Sequence, residues 1–334
     1  MGPPVCHAVL RAKIEDFRVQ EIPLVEPEGE GNHLWLEIEK RNANTDWVAR
    51  QLAALAGVPG RDVGFAGLKD RRGVTTQWFS VGLQEAGDKD WEQWEIPDAR
   101  ILRAVPHPRK LKRGTLRGNR FRLLLRQLEG PLDELEGRLS LAARQGVPNY
   151  FGPQRFGHGG RNVARGMHWL EHGGRLPRNK RSIYLSAVRS FLFNEVLSER
   201  IDLGNWNKMV DGDAAILDGS RSTFPCTMPD PELSRRCEEF DIHPSGPLPG
   251  EGEAAVTGDA AEIESGVLGS HEKLIHKMNR AGLKAARRSL RLLPGELEWK
   301  FDQDSLVLKF ELQPGAYATS VLRELVSTDP VSIS

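Results

Sequence analysis

The sequence predicts an α/β (α+β) protein in which a helix-rich domain interrupts a sheet domain. Strand-like patterns occur through the N-terminal part and return from Gly295, whereas the segment between is rich in glycine, arginine and helical patterns. The 334-residue chain also exceeds the size at which one hydrophobic core usually stops growing. We therefore predict a discontinuous domain of residues 1–147 and 293–334, with residues 148–292 inserted as a second domain.

The N-terminal part begins with strand patterns. Partly alternating apolar positions in VLRAKIEDFRVQEI and HLWLEIEKR predict two strands. The segment NTDWVARQLAALAG predicts a helix, because Asn44 or Thr45 can cap its start and Gly57 can end it. The stretch GFAGLKDRRGVTTQWFSV, from Gly64 to Val81, then predicts a strand, a charged turn and a second strand.

Helical patterns dominate the later part of the chain until its final strands. Residues 121–126 predict a strand, and PLDELEGRLSLAARQG predicts a helix with proline at its start. LSAVRSFLFNEVLSERI predicts an amphipathic helix, and the acidic, Pro- and Gly-rich residues 229–264 predict loops. HEKLIHKMNRAGLKAARRSLRLLP predicts one or two basic helices, and LEWKFDQDSLVLKFEL predicts strands again.

Composition excludes several classes of protein. Hydrophobic residues make up 39% of the chain and charged residues 28%, which is typical of a globular protein and not of a disordered or membrane protein. The N-terminus shows no signal-peptide pattern, and no apolar run approaches the roughly 20 residues of a membrane helix. Cys6, Cys226 and Cys237 form no disulfide framework, so we expect a reducing, cytoplasmic compartment.

The formal net charge of zero conceals an asymmetry along the chain. Residues 99–192 contain 20 Lys and Arg against 5 Asp and Glu, whereas the rest contains 26 against 41. Such a division favours a polyanion-binding face on an otherwise acidic protein. The alternative is that these charges are scattered over the whole surface.

Three segments combine arginine with aromatic residues: RGTLRGNRFRLLLR, NYFGPQRFG and RNKRSIYLSAVRS. Arginine makes bidentate contacts to phosphate, and aromatic rings stack on exposed bases. A charged edge strand is an alternative explanation of the first segment, but three such clusters together favour RNA as the partner. The candidate RNA-binding residues are Arg113, Arg117, Arg120, Arg155, Arg178 and Arg181.

One pattern of metal ligands also occurs. HWLEH, from His168 to His172, fits H-x-x-E-H, which in some metalloproteases places two ligands and a base on one helical face. Gly173 and Gly174 follow at once and are expected to end the helix there. No third ligand is evident nearby, so we predict a surface helix end and no metal site.

The charged turn within GFAGLKDRRGVTTQWFSV contains one acid among three cations, in the order Lys69, Asp70, Arg71 and Arg72. Neighbouring cations favour an ionised carboxylate, which can act as a nucleophile or a general base. A purely structural ion pair of Asp70 with Arg71 or Arg72 explains the same residues. The chemistry of the turn leaves both interpretations open.

Six segments, in one order along nearly the whole chain, resemble the tRNA pseudouridine synthase D (TruD) family. They are FAGLKDRRGVTTQW, LKRGTLRGNRFRL, GVPNYFGPQRFG, NKRSIYLSAVRS, VDGDA and GAYATSVLREL. The resemblance implies isomerisation of uridine to pseudouridine in tRNA, typically at position 13 of the D arm. It also implies a catalytic domain around a mixed, largely antiparallel sheet, interrupted by a family-specific inserted domain.

The resemblance further implies roles for individual residues. Asp70 matches the family's catalytic aspartate, and Lys69 is expected to be its charge partner. Phe17, Asn119 and Phe121 match substrate-contacting positions, and Tyr317 stands where the family has phenylalanine. Because the reaction is an isomerisation, no cofactor is expected, and tRNA is the implied partner without an obligate protein partner or a membrane.

Two questions stay open at this point. Asp70 either attacks C1′ of the ribose or removes a proton from C2′, and the sequence does not choose between these steps. The alternative function is an RNA-binding module or an RNA methyltransferase. A methyltransferase should contain a glycine-rich cofactor loop after an N-terminal strand, and we find none in the sequence.

Overall fold

A computed structural model describes residues 2–83, 90–252 and 255–328. The chain divides into two compact units. The first unit comprises Met1–Ala143, Pro294–Ala318 and Leu322–Ser334, and the second comprises Arg144–Leu293 and Thr319–Val321. The residue ranges given above for the two domains remain a sequence prediction, and the end of the range 293–334 lies outside the described residues.

The strands and helices are numbered in chain order over the described residues. The strands are β1 (Cys6–Leu10), β2 (Phe17–Pro23), β3 (His33–Arg41), β4 (Val63–Phe65), β5 (Val74–Gly82), β6 (Ala99–His107), β7 (Leu116–Glu129), β8 (Val147–Pro148), β9 (Ala214–Leu217), β10 (Thr223–Pro225), β11 (Ile242–Leu248), β12 (Ala286–Ser289), β13 (Arg291–Leu292), β14 (Gly295–Asp302), β15 (Ser305–Leu312) and β16 (Val326–Thr328). The α-helices are α1 (Thr45–Ala56), α2 (Leu132–Gln145), α3 (Pro153–Phe156), α4 (Arg161–His172), α5 (Arg178–Asp202), α6 (Pro231–Glu238), α7 (Gly258–Leu268), α8 (Glu272–Arg280) and α9 (Ala318–Leu322).

The first unit is built on one mixed sheet. Its main path runs in the order β14-β15-β7-β2-β5-β3-β6, while β1, β16 and β4 attach to its sides. The pairs β2–β5 and β1–β16 are parallel, and the other pairs of this sheet are antiparallel. The predicted α/β fold with a mixed, largely antiparallel sheet is therefore confirmed.

Helix α1 covers part of this sheet through apolar side chains. Val48 and Leu52 of α1 are fully buried with Leu36 and Ile38 of β3. The helix ends as predicted at Gly57, whose left-handed φ of 68° suits glycine. Its predicted cap is only partly correct. Asn44 occupies the N-cap position without a side-chain cap bond, and the Thr45 hydroxyl is used elsewhere, in the site described below.

The second unit surrounds the long helix α5. Val188, Leu192 and Phe193 of this helix are fully buried, and Leu185 and Leu192 pack with Leu170 of α4. A four-stranded sheet has the order β10-β9-β11-β12, and β8 pairs with β13. The amphipathic helix predicted from LSAVRSFLFNEVLSERI is thus present as the main part of α5.

In the second unit one prediction is wrong and another is only partly correct. Residues 229–264, expected to be loops, contain α6, β11 and most of α7. The strand IHPSGPL is held by pairing with β9 and β12 and by burial, which outweigh its prolines and glycine. The basic segment after His271 is helical only to Arg280, and Ala286–Ser289 then pairs with β11 as β12.

The three cysteines are buried and are not disulfide-bonded. Burial raises the pKa of the thiols of Cys6, Cys226 and Cys237. Within the described parts of the chain, no helix is both long and apolar enough to cross a membrane.

Candidate active site

The charged turn lies in the loop of residues 66–73, between β4 and β5 of the first unit. The buried Thr45 hydroxyl accepts a hydrogen bond from the Lys69 amide across 3.1 Å and donates to Gln77 Oε1 across 2.8 Å. Gln77 Nε2 in turn donates to the carbonyl oxygen of Gly67 across 3.2 Å. Side chains distant in sequence therefore fix the course of this loop.

Gly73 closes the loop against β2. A side chain at this position would start 2.6 Å from the carbonyl oxygen of Phe17, and the φ of Gly73 is +154°. Residues with a Cβ atom rarely adopt this backbone conformation and would collide with the strand. The glycine consequently brings the end of the loop directly beside the start of β2, where Arg18 pairs with Val74.

Asp70 presents its carboxylate at the surface of this loop, with 55% of the side chain exposed. Arg11 Nη2 donates a hydrogen bond to Asp70 Oδ2 across 3.2 Å. The Arg11 guanidinium also lies over the Phe17 ring, 3.8 Å from its centroid. Burial lowers the pKa of Arg11, and the interaction with Asp70 opposes that shift. Asp70 is thus held by a cation that is itself stacked on an aromatic ring.

The expectation that Lys69 is the charge partner of Asp70 is wrong. Lys69 Nζ lies 2.7 Å from Glu21 Oε2 and donates to Asn119 Oδ1 across 2.7 Å. The strand register explains this geometry, because Glu21 of β2 lies opposite Asn119 of β7 and both face the lysine. Arg71, the partner considered for a structural turn, donates to the carbonyl oxygen of Asn42 across 3.4 Å.

Glu21 and Lys69 form a buried ion pair beside the loop. The side chains are 1% and 4% exposed, respectively. Burial raises the pKa of Glu21, while its interactions with Lys69 and with the Trp78 amide oppose that rise. The pair depends on mutual compensation, because either charge alone would be expensive to bury. Glu21 was not predicted from the sequence, because it stands in the strand pattern of FRVQEI without any local feature that marks it.

An aromatic cluster lies next to Arg11 on β2, β7 and β15. Phe17 and Phe121 meet edge to face with centroids 6.2 Å apart, and Phe121 stacks on Phe310 at 5.3 Å. Phe17 is only 3% exposed and Phe121 only 7%. Tyr317 is half-buried and lies five residues beyond Leu312, the partner of Asn119 in the sheet. Substrate contact by Phe17, Asn119, Phe121 and Tyr317 stays a prediction.

Lys40 is a second functional candidate that the sequence analysis missed. Its side chain is fully buried, and Nζ donates to the carbonyl oxygens of Ala43 across 2.7 Å and of Asp70 across 3.0 Å. A signal was present in the sequence. Lys40 continues the period-2 series of Leu34, Leu36 and Ile38, which together form the buried face of β3.

The candidate RNA-binding arginines of the first unit differ in their availability. Arg117 is exposed and has no ion-pair partner among the described residues. Arg113 is also largely exposed, and its guanidinium lies over the Phe65 ring at 3.7 Å. Arg120, in contrast, donates through Nε to Glu311 Oε1 across 2.9 Å. That contact links two paired strands and makes Arg120 a weaker candidate for phosphate binding.

The candidate RNA-binding arginines of the second unit also differ in their exposure and contacts. Arg178 is exposed at the start of α5. Arg181 is exposed as well, and Nη2 donates to the carbonyl oxygen of Ala281 across 2.8 Å. Arg155 points inward, where Nη1 donates to Ser186 Oγ across 2.9 Å. RNA binding by each of these residues stays a prediction.

The H-x-x-E-H segment forms the end of α4. The helix stops at His172, and Gly173 follows with a φ of 75°, as the sequence predicted. The rings of His168 and His172 stack at 4.3 Å, and His172 Nδ1 lies 3.1 Å from the carbonyl oxygen of His168. The two rings therefore contact each other along the last turn of the helix.

The arrangement around Asp70 permits a specific kind of chemistry. An accessible carboxylate is held by Arg11 on a loop whose main chain is fixed by Thr45 and Lys40. A carboxylate in this setting can act as a nucleophile or as a base toward a bound substrate. The amide of Asn119 accepts a hydrogen bond from Lys69, the residue before Asp70 in the sequence, and so offers a hydrogen-bonding group of fixed orientation.

Comparisons with known proteins agree on one family. The sequence profile described as "tRNA pseudouridine synthase D (TruD)" matches residues 2–167 and 160–325. A tRNA pseudouridine synthase D from Methylococcus capsulatus is 49% identical over 331 residues, covering 98% of this chain and 94% of the relative. The protein of the same name from Nitrosococcus oceani is 48% identical, covering 98% of this chain and 92% of the relative.

A solved structure supports the same assignment. A crystal structure of a protein from Methanosarcina mazei that carries the TruD name superposes with a TM-score of 0.77 at 26% sequence identity. The match covers 97% of this chain and 94% of that protein. The likeness therefore extends over both compact units and not only over the sheet that carries Asp70.

Proposed function

Because the chain belongs to the tRNA pseudouridine synthase D (TruD) family, we propose that Asp70 is the catalytic residue of the reaction that this family carries out. The protein is a tRNA pseudouridine synthase, an isomerase that converts uridine to pseudouridine in tRNA. One observation carries the assignment of Asp70: its exposed carboxylate is paired with Arg11 on a loop anchored by Thr45 and Lys40. The position also matches the aspartate that the family resemblance implies.

The reaction breaks the C1′–N1 bond, turns the uracil within the site and joins C5 to C1′. The proton that C5 loses is balanced by the proton that N1 gains, so the product is an isomer of the substrate. Asp70 acts in one of two ways, by attacking C1′ to form a sugar ester or by removing a proton from C2′. Both steps require the ionised carboxylate. No oxidant, reductant or energy source enters this balance, so no cofactor is proposed.

Arg11 and Phe17 act together in this proposal. The guanidinium restrains the Asp70 carboxylate, and the Phe17 ring stabilises the guanidinium through a cation–π contact. Since Phe17 is 3% exposed, its contribution to substrate binding passes largely through Arg11. The target uridine must leave its stack to reach Asp70, and the remaining exposed surface of Phe121 and Tyr317 receives the flipped base.

Asn119 orients the uracil ring in this proposal. Lys69 Nζ donates to Asn119 Oδ1, so the oxygen of the amide faces the protein and the Nδ2 group is left to donate elsewhere. The carbonyl oxygens of uracil accept hydrogen bonds and therefore suit this donor. Lys69 is a positioning residue in this proposal, because it acts through Asn119 and not on the reacting atoms.

We assign the modified uridine to position 13 of the tRNA D arm, as the family resemblance implies. The tRNA is bound through exposed arginines, above all Arg113, Arg117, Arg178 and Arg181. The proposed compartment is the cytoplasm, in accord with three cysteines that are not disulfide-bonded. No obligate protein partner enters the proposal.

The test is pseudouridine formation on an unmodified tRNA transcript, with Asp70→Asn as the variant and Asp302→Asn as a matched control. Asp302 is an exposed acid at the end of β14. Asp70→Asn should abolish turnover while tRNA binding stays similar or tightens, because a repulsion with phosphate is removed. A transcript with cytidine at position 13 should yield no pseudouridine. Activity of Asp70→Asn within about tenfold of wild type would refute the role of Asp70.

A further inference from the structure

Lys40 places a positive charge inside the first unit, directly behind the loop that carries Asp70. The side chain is fully buried on β3, among the apolar residues of that face. Burying an ammonium is costly, and a lysine in such a place requires compensation by hydrogen bonds or a counter-charge. An apolar residue would fill the same space without that cost, so the presence of lysine calls for a functional explanation.

The hydrogen bonds of Lys40 join two segments that flank the candidate site. Nζ donates to the carbonyl oxygen of Ala43, just before α1, and to the carbonyl oxygen of Asp70. The Thr45 hydroxyl accepts from the Lys69 amide one residue earlier in the loop. Two hydrogen bonds therefore fix the main chain at Lys69 and Asp70, and Lys40 donates the one that carries a positive charge.

We propose that Lys40 is a positioning residue, whose buried ammonium fixes the main chain of Asp70 so that the carboxylate meets the ribose in one geometry. The proposal rests on the proposed role of Asp70. Correct placement of a reacting group contributes strongly to catalysis, and a displacement of about 1 Å can cost roughly a hundredfold in rate. A charge-assisted hydrogen bond is also about twice as strong as a neutral one.

The surroundings of Lys40 connect this restraint to pH. Across the sheet Lys40 lies opposite Thr75 of β5 and Ala99 of β6, which carry no charge. The charged groups that act on it are Asp70 and Lys69 of the loop. Burial lowers the pKa of Lys40 to about 8, which Asp70 opposes and Lys69 reinforces. As the pH rises through this value, the amine becomes neutral and the restraint on Asp70 weakens.

The test compares Lys40→Met, which keeps the length of the side chain, with Lys300→Met at an exposed lysine of β14. Single-turnover pseudouridine formation is measured with saturating enzyme from about pH 6 to about pH 9.5, beside a tRNA-binding titration. At pH 7 Lys40→Met should react about tenfold to a hundredfold more slowly, with tRNA affinity within about twofold of wild type. Lys300→Met should match wild type in both measurements.

The decisive readout is the ratio of the wild-type rate to the Lys40→Met rate. Ionisation of the RNA affects both proteins equally and cancels in this ratio. The ratio should shrink as the pH rises above about 8, because only the wild type has an ammonium to lose. A lysine with a purely structural role would lower the fraction of folded protein and leave this pH dependence absent.

The proposal is overturned if folded Lys40→Met reacts within about threefold of wild type at pH 7, or if the ratio does not change with pH. Should Lys40→Met not fold, Lys40→Gln takes its place, since it keeps an N–H donor without the charge. A wild-type rate that stays level through pH 9.5 also overturns the proposal. Asp70→Asn is measured in parallel. An active Asp70→Asn refutes the role of Asp70, whereas an inactive one with a normal Lys40→Met refutes only the role of Lys40.

Discussion

The ammonium of Lys69 donates a hydrogen bond to Asn119 Oδ1 across 2.7 Å, so the lysine that precedes Asp70 in the sequence is engaged by a side chain of β7. The same ammonium lies 2.7 Å from the buried carboxylate of Glu21. One cation therefore neutralises a buried acid and sets the orientation of an amide at the candidate site. This relationship gives Lys69 and Asn119 separate, measurable roles.

Lys69→Met should leave Glu21 buried without its cation, and removal of one member of such a pair typically costs about 3–5 kcal/mol. The pKa of Glu21, already raised by burial, should rise further without Lys69. A carboxyl with a raised folded pKa favours the folded state at low pH, and this contribution is lost as the pH rises through that pKa. Urea unfolding from about pH 5 to pH 8 should therefore show a defect of Lys69→Met that grows with pH.

A double variant that combines Glu21→Gln with Lys69→Met serves as the control for this explanation. The double variant has no buried acid at position 21, so its stability defect should be smaller and independent of pH over the same range. An equal, pH-dependent defect in the double variant would show that the Glu21–Lys69 pair is not the cause.

Asn119→Asp should separate the orientation of the uracil ring from the binding of tRNA. The side chain keeps its size and can still accept a hydrogen bond from Lys69, but the outward group becomes an acceptor. The outward carboxylate oxygen of Asp then repels the uracil carbonyl oxygen, whereas the amide of Asn119 donates a hydrogen bond to it. The single-turnover rate should fall by about a hundredfold or more, while tRNA affinity changes by less than about threefold. Rate and affinity that fall together would instead indicate a general disturbance of the RNA-binding surface.

Arg117→Ala and Arg120→Ala form a matched pair on β7 for locating the RNA-binding surface. Arg117 is exposed, whereas Arg120 is engaged by Glu311. Loss of one phosphate contact should reduce the slope of log affinity against log salt by about 0.7 to 0.9. We expect this reduction for Arg117→Ala and a smaller one for Arg120→Ala. Filter binding of tRNA over a salt series measures both slopes, and the reverse order would contradict the assignment.

The pH dependence of stability provides an independent view of Lys40. Its folded pKa of about 8 lies below the ordinary value of 10.5, because burial disfavours the ammonium. Between these two values the unfolded chain binds more protons, so this residue makes the free energy of unfolding rise with pH. Wild type should gain up to about 3 kcal/mol relative to Lys40→Met over this range.

Urea titrations of both proteins from about pH 7.5 to pH 10.5 measure that difference. The buried cysteines act in the opposite direction, since burial raises the pKa of their thiols, but both proteins contain them. Their contribution therefore cancels in the comparison. Parallel pH profiles for the two proteins would show that Lys40 keeps an ordinary pKa when buried.

Much of the fold was predictable because the governing signals are local. Alternating apolar residues predicted the strands, and Gly57 ended α1 where expected. The same local reasoning failed for β11, whose prolines and glycine resemble a loop until pairing and burial are known. Likewise, a basic helical pattern concealed β12, which is a strand because β11 offers it a partner.

By itself, the sequence determined the fold class, the family and the place of Asp70 in a charged turn between two strands. Tertiary structure alone decided the partners of that turn. Arg11 reaches Asp70 across 59 residues of sequence, and Lys69 reaches Asn119 across 50. Such contacts depend on strand register, which places Glu21 opposite Asn119 and turns Lys69 toward both. The family resemblance led us to expect Lys69 as the partner of Asp70, but the pairing of β2 with β7 places the Glu21 carboxylate 2.7 Å from that lysine in a buried position, where an unpaired charge is costly.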